Sequence, residues 1–146
     1  MDPSRQPVNP GSGRPAPSVA DNPFLSLLGA RRGEWREGYC EFHLEVRPEL
    51  LNRQGVLQGG VLSTLLDVAC GYAGLYVEGG AEPVHGHTVS LTTNFVSKGD
   101  RGLLVAKGFL VQRTRTLFFA RGEAWLEGRS LLATAQGCFK LAARPR

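Results

Sequence analysis

The amino-acid sequence predicts an α+β fold, with one curved antiparallel sheet of five to six strands wrapped around a single long central helix. Three observations carry that expectation. Five segments between residues 39 and 139 have strand character, four of them with the two-residue alternation of a half-buried strand. One segment, from about Gly60 to Glu78, is apolar on every side of a helix, the pattern of a helix buried all round. Two strands also carry small residues at the centre of one face, which lets another backbone approach closely.

Taken in order, residues 1–21 are rich in Pro, Gly and Ser and lack the apolar content to offset their own ordering entropy, so they are expected to be a disordered tail. "NPFLSLLGARRG" then has helix signals: Asn22 as N-cap, Pro23 at the first helical position and Gly29 near the end. In 39–46, Cys40, Phe42, Leu44 and Val46 alternate with polar neighbours. In 88–96, Val89, Leu91, Thr93 and Phe95 form one face, with Thr88 on the other. Segment 102–114 is a more uniformly apolar strand. In 116–126 the inward face is Phe118, Ala120, Gly122, Ala124 and Leu126; in 131–139 it is Leu131, Ala133, Ala135, Gly137 and Phe139. "EGRS" (127–130) is the hairpin turn between them. The only partner for the two small-residue stripes is the central helix, of roughly 28 Å, which matches the width of five strands. Residues 22–141 therefore form one domain, and 142–146 a short C-terminal tail.

The chain's 146 residues suit one domain, and its 42% hydrophobic and 21% charged content is that of an ordinary globular protein. No apolar run is long enough to span a membrane, and the N-terminus lacks the apolar region of a secretory signal. Three well-separated cysteines suit neither a disulfide framework nor a metal cluster, which points to a reducing cytoplasm. The net charge of +4 is unevenly spread: residues 21–97 are net negative and 98–140 net positive. That asymmetry fits either an anion-binding surface or a solvated face of alternating charge. Nucleic acid is not expected, since no basic motif is interleaved with aromatic platforms.

The chemistry gathers around Asp67. Taking an unpartnered carboxylate out of water is costly, yet this one sits two turns into an oily helix that begins Gly59-Gly60. Backbone N–H groups at a helix start lack intrahelical partners and sit at the positive end of the dipole. Glycines there leave room for a ligand oxygen, the arrangement that stabilises an oxyanion. A carboxylate on nearly the same face can activate water or attack directly. The bland alternative is an acid that bonds a neighbouring hydroxyl and only fixes packing.

"NRQGVLQGGVLSTLLDVACG" resembles the signature of hotdog-fold acyl-CoA thioesterases of the phenylacetate-degradation (PaaI-like) type: an Asn, six residues on a His-Gly-Gly, then an acid in the helix. "NPFLSLLGAR", "HTVSLTTNFV" and "LLATAQGCFKL" are similar to that family's opening helix, post-helix strand and closing strand. The resemblance implies hydrolysis of an acyl-CoA to free acid and coenzyme A, without metal or cofactor. It implies a homodimer, often a dimer of dimers, with each site shared between subunits. Asp67 matches the catalytic carboxylate, Gly59 the N–H that polarises the thioester carbonyl, and Asn52 the Asn that helps place carboxylate and water. Thr88 aligns with a hydroxyl residue that can hold the attacking water. One position departs: Gln58 stands where the family usually has His, and its amide can donate a hydrogen bond but cannot carry a proton. That departure keeps a non-catalytic acyl-CoA binder or sensor as the main alternative.

Substrate contacts are expected from Gly60 at the helix start and from an apolar pocket that includes Leu62, Tyr72 and Phe95. Arg113 and Arg115, with Lys98 and Arg101, are candidates for coenzyme A phosphates or else ordinary surface charge. His85 and His87 lack an evident third metal ligand. Cys70 has no base beside it and reads as a core residue; Trp35 and Trp125 read as packing.

Overall fold

The computed structural model describes residues 22–78 and 85–142; the expected tail at 1–21, and all but Ala142 of the one expected at 142–146, lie outside the described residues. Six strands form one antiparallel sheet: β1 Arg31–Arg36, β2 Tyr39–Val46, β3 Gly86–Phe95, β4 Gly102–Arg113, β5 Leu117–Leu126 and β6 Ser130–Leu141. Their spatial order is β1-β2-β4-β5-β6-β3, which leaves β1 and β3 as the two edges. Glu127 and Gly128 take φ of 53° and 65° in a turn closed by Arg129 N–H to Leu126 C=O. Two left-handed residues in a row match the twist of the β5–β6 hairpin.

The long helix, α2 (Gly59–Ala73), lies in the concavity of the sheet. Leu65, Leu66, Ala69, Cys70 and Ala73 are fully buried against it. The closest approach is at Gly108 of β4, where a Cβ would fall 2.1 Å from the Ala69 carbonyl oxygen. At Gly122 a Cβ would fall 2.9 Å from Cys70 Sγ, so that small-residue face does receive the helix. Gly137 instead lies against Phe139 and the Ser90 carbonyl.

Two expectations for this helix are corrected. It ends at Ala73 rather than Glu78, so it runs ~22 Å. It stops at Gly74, where a Cβ would collide with the Phe118 ring. Nor is it buried all round: Ser63, Thr64, Asp67, Val68 and Gly71 form a half-buried flank. The Asp67 carboxylate lies on that open flank, which removes the conflict between its charge and an oily helix.

The opening helix, α1 (Pro23–Leu28), is built as its signals suggest. Asn22 Oδ1 accepts from the N–H groups of Phe24 (3.0 Å) and Leu25 (3.2 Å), and Gly29 closes the helix at φ 81°. Leu25 is buried, and Arg47 donates to the Leu27 and Leu28 carbonyls, which fastens the end of α1 to the domain. Strand β1 has no counterpart among the expected strands. Its sequence, RRGEWR, lacks alternation because it is an edge strand with a register shift between Arg32 and Trp35.

Two further bulges change which side chains face inward. In β6, Leu132 is the extra residue between the Ala124–Ala133 and Trp125–Leu131 pairs, so Leu132 rather than Leu131 is buried. In β3, Val89 is the extra residue between the Thr88–Phe139 and Ser90–Cys138 pairs. That insertion puts Thr88 on the same face as Leu91, toward α2, whereas strict alternation places it on the opposite face. No helix among the described residues is long and apolar enough to cross a membrane.

Candidate active site

The helix start and the carboxylate line two separate hollows. The first, about 450 Å³, is walled by Asn52, Leu57, Gly59, Leu62, Phe95 and Lys98. Its polar centre is the first turn of α2. Gln58 is the N-cap residue and places no side chain over that turn, so the Gly59 N–H stays open to a ligand. A Cβ on residue 59 would meet the Phe95 ring at 3.1 Å; glycine lets the ring close over the backbone. Asn52 Oδ1 accepts from Gln54 N–H (2.9 Å) and Val56 N–H (3.3 Å) in the turn before the helix. With its oxygen so committed, Asn52 offers the hollow its NH₂, a donor.

The second hollow, about 390 Å³, is walled by Leu25, Ser63, Thr64, Asp67, Thr88 and Leu91. Thr88 Oγ1 donates to Asp67 Oδ1 at 2.6 Å, a bond that the β3 bulge makes available. A charge-assisted bond this short fixes one carboxylate oxygen and leaves Oδ2 to act on a ligand. From Gly59 to Asp67 is eight residues, ~12 Å along the axis. Within one chain, therefore, the Gly59 N–H and the Asp67 carboxylate are too far apart to touch the same thioester group.

The other candidate positions spread along the helix. Gln58 and Gly60 are exposed at the helix start and line neither of these two hollows. Tyr72 packs edge-on to Trp35 and Phe42, at 5.3 Å from each, in the last turn of the helix. Arg113 Nη2 donates to the Gly74 carbonyl at 2.8 Å, which satisfies the C-terminal end of α2, and Arg115 sits in the β4–β5 turn. Burial pushes the Cys70 thiol up to about 12, and the Asp67 charge adds to it, so Cys70 stays protonated and unreactive. No group of three or more potential ligands for a metal ion exists among the described residues.

Residues 54–133 match the family model described as the thioesterase superfamily. The chain belongs to the thioesterase superfamily. Its fold is that family's hotdog, and membership makes thioester hydrolysis its activity class. Among solved structures, it is similar to a conserved protein of Pseudomonas aeruginosa at 24% identity, over 84% of this chain and 96% of that one, with a TM-score of 0.77. A thioesterase family protein of Silicibacter pomeroyi matches at 27% identity over 84% and 91%, with a TM-score of 0.73. The PaaI protein of the Escherichia coli phenylacetic acid degradation operon matches at 19% identity over 84% and 86%, with a TM-score of 0.75. A search of curated proteins found no match.

In this superfamily member the polar wall of the second hollow is the part that sequence reasoning missed. Ser63 and Thr64 sit one turn before Asp67 on its own flank, a helical spacing visible in the sequence. Asn22 also lines this hollow, where it was read only as a helix cap.

Proposed function

We propose that this thioesterase-superfamily protein hydrolyses an acyl-CoA thioester to a free acid and coenzyme A, at a site assembled between two copies of the chain. The observation that carries the reading is the ~12 Å separation of Gly59 from Asp67 along one helix. A site needs both groups within reach of one carbonyl carbon, and a second copy supplies the missing half. Strand β3 is the edge suited to that pairing: Val89 is 57% exposed, Phe95 57% and Val96 56%. Unpaired strand edges invite a partner, and exposed apolar groups on one edge favour burial.

In this reading the thioester carbonyl lies over the Gly59 N–H of one subunit, with the Asn52 NH₂ beside it. The Asp67 carboxylate of the other subunit takes a proton from water, which attacks the carbonyl carbon. Negative charge builds on the carbonyl oxygen at the helix start, where fixed donors stabilise it. The tetrahedral intermediate then expels the thiolate, which takes up the proton. Thr88 holds Asp67 in place. Gln58, exposed at the N-cap, adds its amide donor when the substrate and partner close over it. Leu62 and Phe95 form the apolar wall of the first hollow, and Lys98 joins Arg113 and Arg115 as a phosphate contact.

A panel of aromatic and medium-chain acyl-CoA thioesters assayed for thiol release tests the reading. Release from at least one class, in a protein that sediments as a dimer or a dimer of dimers, is the expected result. A folded protein that binds acyl-CoA and releases no thiol from any member contradicts hydrolysis and leaves the non-catalytic binder.

A further inference from the structure

Helix α1 has six residues, too few to persist without help, because most of its backbone groups lack intrahelical partners. It is tied at both ends. The Asn22 side chain caps its start, and Arg47 donates to the Leu27 and Leu28 carbonyls at its finish. Gly29 makes room for that arginine, since a Cβ there would fall 2.9 Å from Arg47 Nη1. Between the ties Leu25 is buried, while Phe24 and Leu27 are 53% and 73% exposed.

The two exposed side chains differ in what they face. Phe24 lines the hollow that holds Asp67, and Leu27 does not. There Phe24 continues an apolar wall made by Leu25, Val68 and Leu91. The hydroxyl groups opposite are already engaged. Thr88 donates to Asp67 Oδ1, Thr64 to the Gly60 carbonyl (2.8 Å) and Ser63 to Thr93 Oγ1 (3.3 Å). With those protons spent within the protein and a carboxylate beside them, the hollow suits an uncharged group better than an anion.

In the proposed reaction the attacked carbonyl carbon lies beside Asp67 and carries two substituents, the coenzyme A sulfur and the acyl chain. Lys98, proposed as a phosphate contact, lines the first hollow, so the coenzyme leaves by that side. The acyl chain is left the second hollow, against the wall that α1 completes.

We infer that Phe24 is a specificity residue for the acyl group, and that the preferred substrates carry an uncharged chain long enough to cover its ring. The inference rests on the proposed hydrolysis at Asp67 and assigns the acyl end of that site. Phe24 takes no part in the chemistry; its half-exposed ring has surface left to bury against a chain.

The test measures kcat/KM for propionyl-, hexanoyl-, octanoyl-, phenylacetyl- and adipoyl-CoA in the wild type, Phe24→Ala, Phe24→Leu and Leu27→Ala. Phe24→Ala is expected to lose roughly five- to tenfold on octanoyl- or phenylacetyl-CoA, mainly through KM, the value of about half a buried phenylalanine. Propionyl-CoA is expected to change by less than about twofold, as its acyl group offers little apolar area to lose. Phe24→Leu is expected to recover most of the loss, and Leu27→Ala to match the wild type. Adipoyl-CoA is expected to be poorer than hexanoyl-CoA in every protein. A wild type that prefers propionyl- or adipoyl-CoA overturns the inference. So does an equal change across the series in Phe24→Ala, as a disturbed fold or dimer would give, or no change at all, or the same loss of selectivity in Leu27→Ala. If the wild type releases thiol from no member, the hydrolase reading fails, and calorimetric binding of the same thioesters decides on Phe24 separately. Weaker binding of octanoyl-CoA but not of propionyl-CoA by Phe24→Ala supports the acyl wall; unchanged binding of both, or equal weakening of both, overturns it.

Discussion

The two hollows along α2 differ in what they are made of. The first is a backbone site: a helix start, a glycine that admits an aromatic ring, and an Asn whose oxygen is tied into a turn. The second is a side-chain site, a carboxylate held by a threonine hydroxyl at 2.6 Å. In the proposed reaction the first polarises the carbonyl and the second activates the water that attacks it. Neither is a catalyst alone, because a donor array has no base and a carboxylate has no means to stabilise an oxyanion. Their separation on one helix is the reason the proposed reaction places assembly of the site at the sheet edge.

The largest expected effect comes from emptying the second hollow of charge. Asp67→Asn is expected to lower kcat by at least ~100-fold with KM within a few-fold, since the group is needed mainly in the transition state. Steady-state kinetics check it, and near wild-type turnover would make the carboxylate a packing residue. Thr88→Val probes the same hollow more gently. Loss of the bond to Asp67 is expected to cost about 1–2 kcal/mol in kcat/KM, with the fold intact by circular dichroism. An unchanged kcat/KM would separate Thr88 from the chemistry.

The first hollow is sharpened at its rim. Gln58→Ala is expected to cost roughly 1 kcal/mol of transition-state stabilisation, the low end for one oriented donor, because the Gln58 side chain makes no cap hydrogen bond to its own helix. Gln58→Glu is expected to be worse, as a carboxylate repels the oxyanion. Gln58→His is expected to stay active, since a neutral imidazole donates from the same place. Equal kcat/KM in all four proteins would leave the helix start to act through Gly59 and Asn52 alone.

Most of this comparison is legible in the sequence, and the rest is hidden for identifiable reasons. The caps of α1 and the alternation of β2 and β5 are local signals, and local signals carry through to Asn22, Phe42 and Ala120. Bulges are not local in that sense. Nothing in "HTVSLTTNF" marks Val89 as the extra residue; the register is set by pairing with β6, and the bulge turns Thr88 toward Asp67. Strand β1 was missed because an edge strand with four charged residues has no buried face to announce it. The end of α2 was missed because "GLYV" continues the apolar run while Gly74 must admit the Phe118 ring. The half-buried flank was legible at Ser63, Thr64 and Asp67 and was obscured only by the apolar Val68 and Gly71 that share it.

The most direct measurement of the shared site is complementation between two inactive chains, Asp67→Asn and Gly59→Pro. Proline at the first helical position removes the N–H while its fixed φ suits the helix start. The preceding Gln58, at φ −60° and ψ 131°, already has the extended backbone that proline requires of its neighbour. Alone, Gly59→Pro is expected to lose at least ~100-fold in kcat, the value of one oxyanion donor together with the shift its added carbons impose on the Phe95 ring. A purified mixed dimer has one site with both lesions and one with neither. It is expected to recover about half the wild-type turnover per dimer, as two-fold symmetry requires. A mixed dimer no more active than its parents would place Gly59 and Asp67 in the same chain's site and contradict the account.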